Sequence, residues 1–374
     1  VLYDGKFAYS HHASDPALAR RALAGAFVVE EPGAPLYAAD HVLFIQSFPP
    51  ETGLPIFPVN GVISPSFQGP AGGRARLRLV NATTLFLRVR IKGPPTYVIA
   101  VDGQPTEPFE AKDGRIQLVP GGRVDVAATL DDADVSLVEI ETARDPIRLA
   151  VLTPAGAGGA VVKGPPPPLP PNALPAEVPL ANAARFDVPL GSDDKAPQLI
   201  GSVKIGRTVV LALTNTLDVP VSVSIQGNPV RMLDGLDDGW KPWWHDTVPV
   251  NPKATVRVAF IARGPGLWPI IAQRGGDGAV VTSRTYEVTP ARGGARARQA
   301  GCAVLQRVPK SPDGRSLPDR IALSGQGSSH GRPESRPARI IPPAPPSGAL
   351  CRFQDVPRAC GLIGRRRRHS SPTR

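Results

Sequence analysis

The sequence predicts an all-β protein that contains two similar β-sandwiches in tandem. It has 45 prolines and 38 glycines among 374 residues, with 41% hydrophobic residues, and this mixture favours short strands joined by turns over helical bundles. Apolar and other residues alternate with a period of two in several segments, as they do in half-buried strands. The third observation is that the same order of strand and turn signals occurs twice along the chain.

The repeat is clearest in two stretches that begin with Gly-Arg and end with glycine. GRARLRLVNATTLFLRVRIKG spans residues 73–93, and GRTVVLALTNTLDVPVSVSIQG spans residues 206–227. In each stretch an asparagine, Asn81 or Asn215, lies twelve residues before the final glycine. An Asp-Gly turn signal and a Pro-x-x-x-Val-x-Val strand signal then follow in the same order. We interpret this order as a duplicated β-sandwich; the alternative is that two unrelated sandwiches share these features.

The segments around the two copies have different compositions. GPPPPLPP, residues 164–171, favours extended polyproline II and predicts a linker. The alternative is a segment that binds an SH3-like partner. Before the first copy, Asp15-Pro16 followed by ALARRALAG predicts a short helix, and AFVVEEP (26–32) predicts a buried strand. Residues 291–374 are rich in arginine, proline, serine and glycine and predict a disordered tail.

The net charge of +11 belongs to this tail. Residues 291–374 carry 17 lysines and arginines against 4 aspartates and glutamates, which leaves 26 against 28 in residues 1–290. A nearly neutral folded part is not typical of a specific nucleic-acid-binding domain. The basic tail has two interpretations that the sequence leaves open: a segment that contacts an anionic partner, or an extension that is not native to the protein.

The positions of the cysteines exclude several kinds of site from the folded part. Cys302, Cys351 and Cys360 all lie in the tail, so residues 1–290 can hold no disulfide, thiolate ligand or cysteine nucleophile. No apolar run approaches the roughly 20 residues that span a bilayer, and no signal peptide is visible. The chain opens inside a strand pattern without methionine, and we expect it to be a fragment of a longer protein.

Two adjacent histidines near the start raise the question of a metal site. His11 and His12 end the strand-like segment GKFAYSHH, and imidazole is a common ligand of transition metals. Adjacent residues of a strand point to opposite faces, so these two imidazoles are poorly placed to share one ion. His41 and His245 have no partner at metal-ligand spacing, and we interpret them as surface or capping residues.

The order of motifs over residues 1–290 resembles that of the multicopper oxidases, the laccase-like family built from cupredoxin domains. GKFAYSHH resembles the family's G-T-F-x-Y-H-S-H strand, and AFVVEEP resembles the strand that closes the first domain. Landmarks of the second domain are matched by VNGVISPSF, GRARLRLVNA, YVIAVDGQP and LVPGGRVDV. Landmarks of the third domain are matched by WWHDTVPV, VRVAF and GPGLW.

The resemblance implies a fold and a domain organisation. The expected fold is all-β, with tandem cupredoxin-like Greek-key β-sandwiches and a disordered C-terminal tail. The expected segments are a remnant of the first cupredoxin domain (1–33), the second domain (34–163), a Pro-rich linker (164–185), the third domain (186–290) and the basic tail (291–374).

The resemblance also implies copper as the cofactor, and the chain departs from the family pattern at the ligand positions. The family stretch H-P-M-H-L-H-G-H matches VSVSIQGN, residues 221–228, which contains no imidazole. In the family, H-C-H-I-x-x-H follows a G-x-W motif, whereas PIIAQRGGDG follows Gly266-Leu267-Trp268 here. The hard donors that remain nearby, on Gln226, Asn228 and Asp277, do not suit redox-active copper. We therefore expect that the chain does not bind the family's full complement of copper ions.

The first family ligand pair is matched only in part. The pattern Y-H-S-H aligns with residues 9–12, so His12 falls on a ligand position, Ser10 replaces the other ligand and His11 takes the spacer position. The candidate metal ligands are therefore His12 and His11, and no catalytic residue is predicted.

Three functional hypotheses follow from these observations. The first is a protein of copper-dependent oxidoreductase ancestry that is copper-poor and inactive and acts as a binding or scaffold module. The second is an active oxidase of phenols or metal ions whose missing ligands come from an upstream segment or another chain. The third is a truncated or frameshifted product without function. Partners are not identified, apart from an anionic partner of the tail, and the family resemblance implies a periplasmic or secreted location.

Overall fold

A computed structural model describes residues 25–28, 36–48, 55–93, 95–131, 135–156, 160–191, 197–233, 240–291 and 339–341. These residues form 22 β-strands and one short 3-10 turn, and no α-helix occurs among them. The all-β prediction is confirmed. Within the described ranges, no helix is long and apolar enough to cross a membrane.

The first sandwich consists of ten strands. They are β2 (Ala39–Ile45), β3 (Ser66–Pro70), β4 (Arg74–Asn81), β5 (Leu87–Lys92), β6 (Thr96–Val101), β7 (Gln104–Glu110), β8 (Arg115–Leu118), β9 (Arg123–Thr129), β10 (Ser136–Ile140) and β11 (Ile147–Ala155). The 3-10 turn, Lys112–Gly114, precedes β8. One sheet has the order β2-β4-β9-β6-β7 and the other the order β3-β11-β10-β5-β8.

The second sandwich also consists of ten strands. They are β12 (Ala184–Leu190), β13 (Gln198–Lys204), β14 (Thr208–Asn215), β15 (Val221–Ile225), β16 (Val230–Leu233), β17 (Trp240–His245), β18 (Thr247–Val250), β19 (Thr255–Ile261), β20 (Gly266–Arg274) and β21 (Val280–Thr289). Its sheets have the orders β12-β14-β19-β16-β17 and β13-β21-β20-β15-β18. In both orders, each strand number is ten higher than the number at the same place in the first sandwich. The strand order is therefore the same in both sandwiches.

The repeated asparagines have the same structural role in both sandwiches. Asn81 ends β4 and donates from Nδ2 to the carbonyl oxygens of Leu85 and Leu118, at 2.8 and 3.0 Å. Asn215 ends β14 and donates from Nδ2 to the carbonyl oxygens of Val219 and Val250, at 2.9 and 3.1 Å. Both amides are buried. Because buried backbone carbonyls need hydrogen-bond partners, each asparagine fixes the loop that leaves its strand.

Each sandwich has its own apolar core between its two sheets. In the first, side chains of β4 such as Leu77 and Leu79 pack with those of β5 and β10, such as Val89 and Val138. In the second, the alternating apolar residues of β14 and β19 pack against those of β15, β20 and β21. This arrangement follows from the period-two pattern, which turns one face of every strand inward.

The Pro-rich segment between the sandwiches lies against both of them. Leu169 is buried in a cluster with Ile99 and Ala127 of the first sandwich. Val178 is buried in a cluster with Val210 and Trp244 of the second. The segment therefore contributes to the packing of both sandwiches in addition to connecting them.

Two short strands lie outside the sandwiches. β1 (Ala26–Val28) pairs antiparallel with β22 (Arg339–Ile341). The strand predicted for residues 26–32 is thus present over its first three residues. Arg339–Ile341 lies within residues 291–374, for which a disordered tail is predicted. The helix predicted after Asp15 lies outside the described residues.

Candidate functional site

The stretch that resembles a copper-ligand segment forms β15 and the turn after it. Val221, Val223 and Ile225 point into the core of the second sandwich and are fully or almost fully buried. Ser222 and Ser224 alternate with them on the other face and are also buried. A valine at a ligand-like position therefore belongs to the apolar core of the sandwich and offers no donor atom.

The turn after β15 is closed by an aromatic side chain. Gly227 has φ +84°, and a Cβ atom built on it would lie 2.2 Å from Cδ2 of Trp268. The indole Nε1 of Trp268 donates to the carbonyl oxygen of Gly264 at 2.9 Å, which fixes the ring over the glycine. Glycine is required here both by the backbone conformation and by the contact with the ring.

The polar side chain at the end of this stretch is occupied by protein partners. Asn228 is 2% exposed; its Nδ2 donates to the Tyr286 hydroxyl at 2.9 Å, and its Oδ1 accepts from the backbone N–H of Arg263 at 2.8 Å. The Tyr286 hydroxyl in turn donates to the carbonyl oxygen of Gln226 at 2.6 Å. Burial raises the pKa of Tyr286, and the hydrogen bond from Asn228 opposes that rise only in part. The hydroxyl is therefore neutral and serves as a structural link.

The second ligand-like stretch forms β20 and the turn to β21. Ile270 and Ala272 are fully buried in the core. At the turn, Arg274 Nε donates to Asp277 Oδ1 at 3.1 Å, and the same oxygen accepts from the backbone N–H of Ala279 at 3.0 Å. The hydrogen bond from Arg274 lowers the pKa of Asp277. The carboxylate thus stabilises the turn.

The donor atoms at these two stretches do not fit copper. Copper sites that exchange electrons use imidazole and thiolate ligands, and residues 221–228 and 266–278 supply neither. The amide of Asn228 and the carboxylate of Asp277 already have protein partners. Among the described residues, no group of three or more His, Cys, Asp or Glu side chains is placed to hold a metal ion.

The histidines singled out from the sequence have different outcomes. His11 and His12, the candidate metal ligands, lie outside the described residues. His41 lies on β2, where its Nε2 donates to the carbonyl oxygen of Gln68 at 2.6 Å and its ring packs against Phe67. His245, expected to be a surface or capping residue, has only 13% of its side chain exposed, and its Nδ1 lies 3.4 Å from Asp102 Oδ2.

Asp102 is the centre of a polar network that joins the two sandwiches. It lies in the β6–β7 turn, and its Oδ1 accepts from the backbone N–H of Arg123 at 3.0 Å. Its Oδ2 accepts from the backbone N–H groups of Asp246 and Thr247, at 3.2 and 3.3 Å. Burial opposes ionisation of Asp102, but the hydrogen bond with His245 and the charge of Arg123 outweigh it, so its pKa lies below the ordinary value.

Arg123 supplies the cationic half of the same network. Its Nη1 donates to Asp246 Oδ1 at 2.9 Å, and its Nη2 pairs with Asp246 Oδ2. Nη2 also donates to the carbonyl oxygen of Asp102 at 3.0 Å. Burial opposes the charge, but the two aspartates more than compensate and raise the pKa of Arg123. We call Asp102, Arg123, His245 and Asp246 the interdomain clamp.

Sequence reasoning did not find the interdomain clamp. The Asp-Gly signal at residues 102–103 predicts a turn, which the φ of 47° at Asp102 confirms, but this turn residue also carries a buried carboxylate. Arg123 and Asp246 are separated by 123 positions, so no local spacing brings them together. The available signal was an arginine in PGGRVDV and an aspartate in WWHDTVPV, each a charged residue inside an otherwise apolar strand pattern.

Comparison with known proteins points to one family. The family model described as multicopper oxidase matches residues 33–137. The chain is similar to multicopper oxidase MmcO of Mycobacterium tuberculosis, with 26% identity over 245 residues that cover 57% of this chain and 47% of that protein. The chain therefore spans about half the length of this curated relative.

Solved structures give the same fold. The chain is similar to a multi-copper oxidase from Pseudomonas thermotolerans, with a TM-score of 0.63, 24% identity, and coverage of 74% of this chain and 75% of that one. It is also similar to a multi-copper oxidase from Pseudomonas parafulva, with a TM-score of 0.64, 21% identity, and coverage of 76% and 77%. At these identities the two structures support the cupredoxin-like β-sandwich fold alone.

Proposed function

We propose that the chain is a copper-poor, catalytically inactive member of the multicopper oxidase family, whose cupredoxin-like sandwiches act as a binding or scaffold module. The observation that carries the proposal is which side chains occupy positions 221–228 and what they contact. Their core positions are filled by valine and isoleucine, and the terminal Asn228 is bonded to Tyr286 and to the backbone of Arg263. A metal ion would have to displace these contacts and would gain no imidazole in return.

The loss of ligands does not require the loss of the fold. Sandwich stability comes from apolar burial and from satisfied backbone groups, and both cores are complete without a metal. A fold of this kind can therefore present surfaces and cavities for binding when its redox chemistry is gone. We place the protein in the periplasm or outside the cell, as expected from the family.

Copper loading tests the proposal directly. The purified chain is incubated with excess Cu(II), and separately with Cu(I) without oxygen, then desalted and analysed for copper per chain by mass spectrometry. We expect clearly less than one copper per chain and no intense visible absorption of a copper–thiolate bond. Several coppers per chain together with that absorption would refute the proposal.

Matched variants separate a residual site from non-specific uptake. If some copper is retained, the His11→Ala/His12→Ala double variant should lose it, because these are the predicted ligands. His41→Ala removes a different imidazole, one engaged with Gln68, and should leave the copper content unchanged. Equal loss in both variants would show uptake by imidazoles in general and would remove His12 and His11 as a site.

An active oxidase is the second candidate, and the similarity to a curated multicopper oxidase over 57% of the chain favours it. In that case the missing ligands come from an upstream segment or from another chain. Its signature is oxygen consumption with a phenol, or with cuprous or ferrous ions, that depends on added copper. We expect none from this chain.

A further inference from the structure

We infer that the cavity between the two sandwiches is a binding site for a small, neutral, planar aromatic molecule that donates one hydrogen bond to His245. The cavity has a volume of about 370 Å³. Ligand sites commonly lie between domains and start at about 300 Å³, so a molecule of one or two rings is the appropriate size. This inference gives the proposed binding role a location. It rests on the binding role within the proposed function and does not depend on the copper content.

The cavity is separate from the stretches that resemble copper-ligand segments. It is lined by β6, β7, β8 and β9 of the first sandwich and by β16, β17 and β18 of the second. None of residues 221–228 or 266–278 is among the lining residues. Binding in the cavity therefore does not depend on the presence of a metal at those stretches.

The walls of the cavity are apolar, and one side is aromatic. Val98, Ile116 and Leu118 come from the first sandwich, and all three are buried. Phe109 and Trp243 meet across the two sandwiches with ring centroids 5.2 Å apart and an angle of 33° between the rings. Phe109 is exposed, which places this pair on the solvent side of the cavity. Apolar walls with an aromatic pair on one side favour a planar aromatic ligand.

The charged groups that line the cavity compensate one another. Asp102 accepts hydrogen bonds on both oxygens, and the guanidinium of Arg123 is shared between Asp246 and the carbonyl oxygen of Asp102. Arg115 pairs with Asp113 and Glu141. Because these charges are paired within the protein, a charged ligand would lose its hydration without gaining a free counter-charge, and a neutral ligand is favoured.

His245 supplies the polar recognition group. Its Nδ1 lies 3.4 Å from the carboxylate of Asp102, so the proton of a neutral imidazole belongs on Nδ1 and Nε2 is left as an acceptor. Nε2 is buried and, like Nε of Arg123, finds no hydrogen-bond partner among the residues that the structure describes; of the two, only Nε2 can accept from a ligand. A buried acceptor without a partner is unfavourable, and an O–H or N–H group of a ligand would satisfy it.

Two probes that differ in one atom test the inference. Indole carries a ring N–H donor, and benzofuran has the same shape with an oxygen acceptor in its place. Binding to the whole chain is measured by isothermal titration calorimetry, first after treatment with chelator and then after copper loading with the metal content determined. We expect indole to bind in both states and benzofuran to bind about tenfold more weakly, as one hydrogen bond allows.

Variants locate the site. His245→Phe keeps a flat ring without an acceptor and should reduce the indole preference to near unity. Gln117→Trp, at an exposed cavity-lining position of β8, should obstruct the cavity and abolish binding of both probes. Gln198→Trp makes the same change at an exposed position of β13 that does not line the cavity, and it should bind as the unaltered chain does.

Failure of the inference is distinct from failure of the proposed function. Absence of indole binding, equal binding of the two probes, or unchanged binding by Gln117→Trp would each overturn the cavity assignment. Stoichiometric copper would overturn the proposed function. The cavity assignment would still be decided by the indole titration of the copper-loaded chain.

Discussion

Replacing Arg123 by methionine is expected to destabilise the second sandwich through the interdomain clamp. The change removes four hydrogen bonds to Asp246, Gly121 and Asp102 and leaves two carboxylates without their cation. Removing one member of a buried ion pair costs about 3–5 kcal/mol. The side chain of Asp246 is 32% exposed and regains water, so we expect the lower end, about 3 kcal/mol of the free energy of unfolding.

Urea unfolding followed by two signals measures this loss. All four tryptophans lie between residues 240 and 268, so tryptophan emission reports on the second sandwich of the structure, whereas far-ultraviolet circular dichroism reports on both. Arg123 lies in the other sandwich, on β9. We expect the midpoint of the emission transition to fall in the methionine variant, because Asp246 is the residue that loses its partner.

Arg123→Lys and Arg115→Met serve as controls. Lysine keeps the charge but lacks the planar fork that contacts both oxygens of Asp246, so an intermediate loss is expected. Arg115 makes ion pairs at the surface, and its replacement should change stability little. If the methionine variant alters only the circular dichroism transition, Arg123 acts within its own sandwich and the coupling argument is refuted.

The same variant is expected to alter the acid limb of the stability curve. The pKa of Asp102 in the folded protein lies below its ordinary value, so the unfolded chain binds more protons between the two pKa values. Its contribution to stability is present above pH ~4 and is lost as the pH falls through the folded-state pKa. Without the charge of Arg123 that pKa rises, and acid unfolding should begin at higher pH. An unchanged acid midpoint would contradict this assignment.

Two further predictions concern the backbone. Gly227→Ala places a methyl group against Trp268 and should cost about 3 kcal/mol, whereas Gly206→Ala, at a similar φ of 82° with open space around it, should cost about 1 kcal/mol. Thermal unfolding of the two variants compares them, and equal losses would show that the ring contact is unimportant. Asn81→Ala and Asn215→Ala should each cost about 2–3 kcal/mol, since each leaves buried carbonyls unpaired. A large loss for only one of them would mean that the repeated asparagines differ in role.

The fold could be predicted largely from local patterns. Period-two alternation around Asn81 and Asn215 predicts the successive strands β4 and β5, and β14 and β15, and the Asp102-Gly103 signal predicts a hairpin turn. These features are encoded by residues close in sequence, which is why they are legible without a structure. The predicted domain boundaries stay predictions.

The interdomain clamp and the cavity could not be predicted in the same way. Arg123 and Asp246 belong to different sandwiches, and their pairing depends on how two finished folds pack. The burial of His245 depends on the same packing, so its sequence neighbours gave no sign of it. Likewise, the role of Asn228 depends on Tyr286, 58 positions away on β21. Contacts of long sequence separation are specified by tertiary structure and not by local propensity.

The two ends of the second sandwich thus differ in chemical character. Around Trp268, the ring packs over Gly227, and the polar groups of Asn228 and Tyr286 are bonded within the protein. Beside Asp102, the packing of two sandwiches leaves a cavity and one buried nitrogen of His245 without a partner among the described residues. Binding needs an accessible volume and an unsatisfied group in the same place. The cavity beside Asp102 combines them, and the search for a ligand should therefore begin at the junction of the sandwiches.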